Sequence, residues 1–291
     1  MRIKTLRVTL LLALVMVLII PNVRMEEIAQ PQPLDIRETA PEGTFLNPGE
    51  APVLTETSYK SPEISISIET YRDEKSRSNI YVADIYVSSV LYLRRAMSNN
   101  KWKASTQRMD IMAKNNKAIL AMTGDYSSLL DVGLVAFNGD IIRKSANQAR
   151  ENALILTDGR MVTYARKEMK VSEVLDDGIW HSFLFGPALL RDGQPIEKFV
   201  DKIRVANPRS ILGYYEPGHY CFVLVDGRSG KSRGMTLTQA SKFMFDLGCK
   251  EAYNLDGGQS AMLWFNGKLV NAAYKGGRPL KDIVYIGYPA E

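Results

Sequence analysis

Two stretches decide the fold: Tyr220-Cys221-Phe222-Val223-Leu224-Val225-Asp226-Gly227-Arg228-Ser229 and Glu251-Ala252-Tyr253-Asn254-Leu255-Asp256-Gly257-Gly258-Gln259-Ser260. Each is an apolar strand that runs into a polar, glycine-containing turn. Residues 236–247 between them read as a helix. Thr236 can cap its start, and Gln239 completes a capping box. Leu237, Ala240, Phe243, Met244 and Leu247 make one apolar stripe at helical spacing, and Gly248 supplies the stop. Strand, helix, strand predicts two parallel strands whose turns leave the same sheet edge. Ligands of open α/β sheets bind at that edge. Asp226, Arg228, Asn254, Asp256 and Ser260 are therefore expected to converge.

Other segments add antiparallel elements. Ile64, Ile66 and Ile68 alternate with polar residues, as in a half-buried strand. Residues 80–87 read as a second strand with a slip near Ala83-Asp84. Residues 91–97 and 109–115 read as short helices. Residues 118–122 form a strand that runs into Gly124-Asp125-Tyr126. Asn138-Gly139, Asp158-Gly159 and Asn266-Gly267 each separate two apolar runs. Such dipeptides favour tight hairpins because the turn needs positive φ. The expected class is α/β with α+β character, in one domain. Its sheet is mixed, with antiparallel hairpins and at least one parallel strand–helix–strand crossover.

Ahead of the domain, Arg2, Lys4 and Arg7 precede an apolar run at residues 8–20. That run is short for a span and has the length of a signal-peptide core. No small-residue cleavage site follows, so residues 1–23 are expected to be an uncleaved signal anchor in the cytoplasmic membrane. A cleaved, secreted form is the alternative. Residues 24–61 are proline-rich and read as an extracytoplasmic spacer. The domain is expected over residues 62–291.

The chain has 291 residues, a formal charge of +5 and ordinary apolar and charged fractions. The excess of positive charge is small and dispersed, which argues against nucleic-acid binding. Two cysteines, Cys221 and Cys249, fall near one sheet edge. They can form a disulfide in an oxidising compartment or serve as two small buried apolar groups. His181 and His219 are the only histidines, so a structural zinc site is excluded.

Asp226 and Asp256 stand out among the aspartates because each follows a strand of the crossover. Both are flanked by residues suited to anions or sugars: Arg228 and Ser229, Asn254 and Ser260. Arg209, in Asn207-Pro208-Arg209-Ser210 just ahead of an apolar strand, can form bidentate pairs with phosphate or carboxylate. Asp158 and Asp192 read as plain turn residues.

These motifs resemble the phosphodiester glycosidase family. The likeness lies in Tyr220 with Asp226-Gly227-Arg228, then Gly234-Met235-Thr236-Leu237, then Asn254-Leu255-Asp256-Gly257-Gly258 with Ser260. Gly124-Asp125-Tyr126 and Pro208-Arg209-Ser210 extend it, so that it covers residues 117–288. Gln259 departs from the pattern, because many members carry a third glycine there. The resemblance implies cleavage between a sugar's anomeric carbon and a phosphodiester, the sugar possibly N-acetylglucosamine, in a cell-surface or extracellular glycopolymer. It implies Asp256 as the catalytic carboxylate, with Asp125 and Asp226 as partners. Arg209, Arg228, Asn254, Ser260, Gly257, Gly258, Gln259, Gly124 and Tyr126 would bind substrate and phosphate. No cofactor is expected, although Asp125, Asp226 and Asp256 could gather around a hard cation such as Ca²⁺. Rival readings are a phosphodiesterase or sugar transferase and a non-catalytic module that binds anionic glycans.

Overall fold

The computed structural model describes residues 30–289 apart from 147, 148 and 201. Residues 1–29, with the expected signal anchor, lie outside the described residues. Among those described, no helix is long and apolar enough to cross a membrane.

The centre is a nine-stranded sheet. The strands His219–Val225 and Glu251–Asn254 belong to it, joined by the helix Leu237–Asp246 with the expected Thr236–Gln239 capping box. They do not pair with each other. The strand Arg209–Glu216 lies between them and pairs antiparallel with both. Every ladder among the described residues is antiparallel, so the expected parallel pairing is absent. Opposition to a common neighbour still gives the two strands one direction, and their turns leave the same edge.

The strand–helix–strand order is what suggested parallel pairing, and the uninterrupted apolar run at 220–225 agrees with it, since such runs mark burial on both faces. Here an antiparallel sheet is covered twice. Cys221, Val223 and Val225 pack with Leu237, Ala240 and Met244 of the helix. Phe222 and Leu224 face the other way and meet Leu120, Met122, Leu263, Phe265 and Val284 of a five-stranded sheet and Ala153, Ile155 and Phe183 of a three-stranded one. The same double covering removes the slip expected near Ala83. The ladder from Ile64↔Val87 to Asp73↔Ser78 is continuous. Val82 belongs under the helix and Ala83 to the sandwich between sheets.

Residues 91–97 are not a helix. One 3₁₀ turn, Val90–Tyr92, is capped by Ser89, and the strand Leu93–Met97 then pairs with Asp282–Ile286. Tertiary pairing overrides the local pattern here, because Arg95 is 1% exposed and its guanidinium is ion-paired with Asp282. Leu93–Met97 is an edge strand. Its free side is met by Asn138, whose Oδ1 accepts from the Arg95 amide (3.0 Å) and whose Nδ2 donates to the Arg95 carbonyl (2.9 Å). Asn138 and Gly139 form their turn with φ of 52° and 88°, and Asn266 and Gly267 match them at 46° and 82°.

The described part of the expected spacer, residues 30–61, packs on the domain. Val53–Leu54 and Ser58–Lys60 extend the large sheet at its edge, and Ile36 is 2% exposed. Cys221 and Cys249 are buried free thiols whose sulfurs lie 3.7 Å apart, so the disulfide is not formed. Gly213 explains how closely they approach. A Cβ there would stand 2.5 Å from Cys221 Sγ and 2.6 Å from Met244 Cε. Overpacking of this kind costs about 1–3 kcal/mol. Gly213→Ala is therefore expected to lower the thermal unfolding midpoint, measured by circular dichroism, while leaving the spectrum of the folded state unchanged.

Candidate active site

Two loops close around the segment 254–260. The Leu255 amide donates to Ser210 O (2.8 Å), the Asp256 amide to Gly124 O (3.1 Å) and the Gly258 amide to Pro208 O (3.0 Å). Gly257 is needed for this closure, because a Cβ would lie 2.7 Å from Pro208 O. Gly258 has φ of +64° and opens the 3₁₀ turn Gly258–Ser260. The loops enclose a cleft of about 190 Å³ lined by Phe185, Arg209, Arg228, Asp256, Gly257 and Gly258, among others.

Three arginines supply positive charge. Arg209 is 2% exposed and donates to the carbonyls of Met235 (3.0 Å), Ile203 (2.6 Å) and Val205 (2.6 Å). No carboxylate pairs with it among the described residues. Burial, and then Arg228, pull its pKa down to about 10. A buried cation without a counter-ion is costly, and an anion entering the cleft would relieve that cost. Arg228 is exposed and donates through Nε (3.0 Å) and Nη2 (2.8 Å) to Asn207 Oδ1. Its guanidinium lies against Gly258 and 5.6 Å from the centre of the Tyr274 ring. Sequence reasoning missed the third, Arg278. Its Nη2 donates to Asp256 Oδ2 (3.0 Å) and its Nε to Ser260 Oγ (2.5 Å). The signal was present in Gly276-Gly277-Arg278-Pro279, another glycine turn carrying a charge.

The acids divide. Asp256 faces the cleft with its side chain 16% exposed. Asp125 lies behind it, 2% exposed, and accepts from the amides of Leu184 (2.5 Å) and Tyr126 (2.7 Å). Burial raises the Asp125 pKa, Arg95 opposes the rise, and the charge of Asp256 adds to it. Sequence reasoning also missed the support behind this turn. Arg95 is ion-paired with Asp282 and lies between the rings of Phe137 (3.8 Å) and Phe183 (4.5 Å). A Cβ on Gly124 would stand 2.4 Å from Asp282 Oδ1, so this glycine serves the approach of a carboxylate.

Asp226 does not join Asp256. It is 4% exposed, and its oxygens accept from Asn271 Nδ2 (2.9 Å) and Tyr81 OH (3.3 Å). Asn271 also binds Leu263 N and Ala261 O, so Asp226 ties the large sheet to the five-stranded one. Burial raises its pKa and pushes that of Tyr81 up to about 12. No three His, Cys, Asp or Glu side chains cluster to hold a metal among the described residues, so the trio considered for Ca²⁺ is not assembled.

The remaining candidates surround the cleft. Asn254 is buried, its Nδ2 donates to Gly186 O (2.9 Å), and its Oδ1 has no partner. Tyr126 packs edge-on against Phe185 (4.8 Å between centroids) and lies near Arg150 (5.3 Å). Ser260 is fully buried and receives Arg278. Gln259 is not part of the cleft's lining, and its Nε2 donates to Gly277 O at 3.0 Å.

A fold of this kind, with charged glycine turns gathered at one edge, matches a known family. The phosphodiester glycosidase model matches residues 110–287, more than half of the chain, and the chain belongs to that family. A relative, the SPbeta prophage-derived uncharacterized protein YomE of Bacillus subtilis (strain 168), is 30% identical over 189 residues. The match takes in 61% of this chain but 29% of the relative's length. Among solved structures, the catalytic domain of zebrafish N-acetylglucosamine-1-phosphodiester alpha-N-acetylglucosaminidase, auto-inhibited by its pro-peptide, is similar in fold. Its TM-score is 0.62 at 20% identity, over 78% of this chain and 83% of that one. A hypothetical protein from Synechocystis matches with a TM-score of 0.52 at 14% identity, over 78% of this chain and 62% of that one.

Asp282 offers a test of the support behind the site. Burial outweighs the pull of Arg95, Asp125 adds repulsion, and the Asp282 pKa rises from 3.8 to about 7. A carboxyl whose pKa is higher in the folded state stabilises the fold below its unfolded value and loses that contribution as pH rises through its folded value. This group's share of stability is therefore lost as pH climbs from 3.8 to about 7. Chemical denaturation at a series of pH values should show that decline, and Asp282→Asn should flatten it.

Proposed function

We propose that the chain hydrolyses a sugar-1-phosphodiester, cutting between the anomeric carbon and the phosphate. The observation that carries this reading is the pairing, in one cleft, of the carboxylate of Asp256 with Arg209, a buried arginine that pairs with no carboxylate among the described residues. A departing phosphodiester is already a stable anion and needs little help from a general acid. It needs donors where its charge develops. Arg209 and Arg228 line the cleft and are suited to that work.

The sugar develops oxocarbenium character, which a carboxylate stabilises by charge, by attack or by activating water. Asp256 has the position for this, and the hydrogen bond from Arg278 aims its carboxylate. Asp125, with its raised pKa and its repulsion from Asp256, is the second carboxyl of the pair. The unpartnered Oδ1 of Asn254 supports a role in orienting a donor such as a sugar hydroxyl. Asp226 has no part in the chemistry.

N-acetylglucosamine is the first sugar to test, because the zebrafish enzyme's name specifies it. The basic and apolar start of the chain supports action outside the cytoplasmic membrane, on a sugar-phosphate glycopolymer, with residues 8–20 as anchor.

Incubation with a panel of sugar-1-phosphodiesters should release free sugar. In oxygen-18 water the label should enter the sugar; label in the phosphate would place attack at phosphorus. Asp256→Asn should lower kcat by about 100-fold or more with the fold intact. Arg209→Lys should lower kcat/KM by about 10- to 100-fold, since lysine cannot reproduce the planar fork. Near-normal turnover in Asp256→Asn would remove that residue from the mechanism.

A further inference from the structure

Two loops that meet over the cleft are joined through three consecutive residues. Gly258 lies against the Arg228 guanidinium, which in turn faces the ring of Tyr274. Gln259 Nε2 donates to Gly277 O at 3.0 Å. Ser260 Oγ accepts from Arg278 Nε at 2.5 Å, and Asp256 Oδ2 accepts from the same guanidinium. The outer two contacts involve residues with charge to offer a substrate. The middle one involves an amide that donates to the peptide directly before Arg278.

We infer that Gln259 is a positioning residue that sets Arg278 and makes it the third cation of the anion site. The geometry leaves Gly277 little freedom of its own. Its φ is +81°, and a Cβ would stand 2.3 Å from Met262 Sδ. The backbone at 277 is thus pressed against Met262 on one side and held by Gln259 at its carbonyl. Arg278 emerges from this clamped peptide with its side chain half exposed (53%), in contrast to Arg209 within the wall. An unrestrained arginine loses side-chain freedom on binding an anion. The bonds to Asp256 and Ser260 already restrain the Arg278 side chain, and the clamp on its backbone sets where that side chain starts. Phosphate affinity therefore depends on Gln259 without contact between the two.

This inference rests on the phosphate-binding half of the proposed function, and binding of inorganic phosphate separates it from the reaction. Phosphate affinity is measured by calorimetry on the wild-type chain, Gln259→Met, Arg278→Ala and the double variant, with thermal unfolding to verify folding. Gln259→Met keeps the length of the side chain and removes the donor. It should weaken phosphate by about 3- to 10-fold, as loss of one hydrogen bond does. In the Arg278→Ala background the same change should have no further effect, because interacting residues are non-additive. Unchanged affinity in folded Gln259→Met, or equal effects in both backgrounds, would overturn the positioning role. Absence of phosphate binding by the wild-type chain would overturn it as well. Phosphate binding with the expected non-additivity, but no release of sugar from any phosphodiester, would sink the proposed reaction and leave the role of Gln259 standing.

Discussion

The peptide at Asn207-Pro208 is the point on which the site is built. It enters the strand Arg209–Glu216, which is inserted between two strands that run the same way. Three glycines are pressed against it, Gly227 and Gly234 from one loop and Gly257 from another. A Cβ on Gly234 would stand 2.4 Å from Asn207 C, one on Gly227 2.8 Å from Pro208 N, and one on Gly257 2.7 Å from Pro208 O. Backbone lies on the far side of each contact, so no side chain can move aside to relieve a clash. Proteins pack their interiors at crystal-like density, and removal of the Cβ is the only way for main chains to approach so closely. The loops carrying Arg209, Arg228 and Asp256 are thereby fixed relative to one another. Charge placement in the cleft follows from that packing.

Much of this was legible in the sequence, and the parts that were not have physical reasons. The helix was marked by its cap, stripe and stop, all of them local signals. Convergence of the 226–228 and 254–260 turns at one edge followed from two apolar strands joined by a helix. What failed was the step from strand–helix–strand to a parallel pair, because a strand from earlier in the chain, Arg209–Glu216, is inserted between the two and pairs antiparallel with both. Asp226 and Asp256 look alike in sequence, each an aspartate followed by glycine after a strand. Partners from distant elements separate them: Asn271 and Tyr81 draw one inward, and Arg278 meets the other at the cleft. Arg95 was unreadable as a support for Asp125 because its significance lies in a pairing with Asp282, far along the chain. The motif glycines were legible as a need for close approach, but what approaches is other backbone and a carboxylate.

The cleft balances its charges unevenly, and this is the property most relevant to chemistry. Arg278 is paired with Asp256, while Arg209 is held by carbonyl dipoles and pairs with no carboxylate among the described residues. The depressed pKa of Arg209 reflects that isolation, yet at about 10 the group stays protonated at neutral pH. An anion that reaches the wall meets a full positive charge already stripped of water. The desolvation of the arginine has been met during folding, so little of it remains to oppose binding.

The Asn138 side chain, bonded to both backbone groups of Arg95, also bears on how the chain behaves in company. An edge strand with free amides and carbonyls is a template for another strand, and soluble proteins blunt such edges. Here a single amide side chain imitates one rung of a ladder at the centre of Leu93–Met97. A foreign strand would have to displace that rung to dock. The tight turn at 138–139 is thus a guard against edge-to-edge self-association.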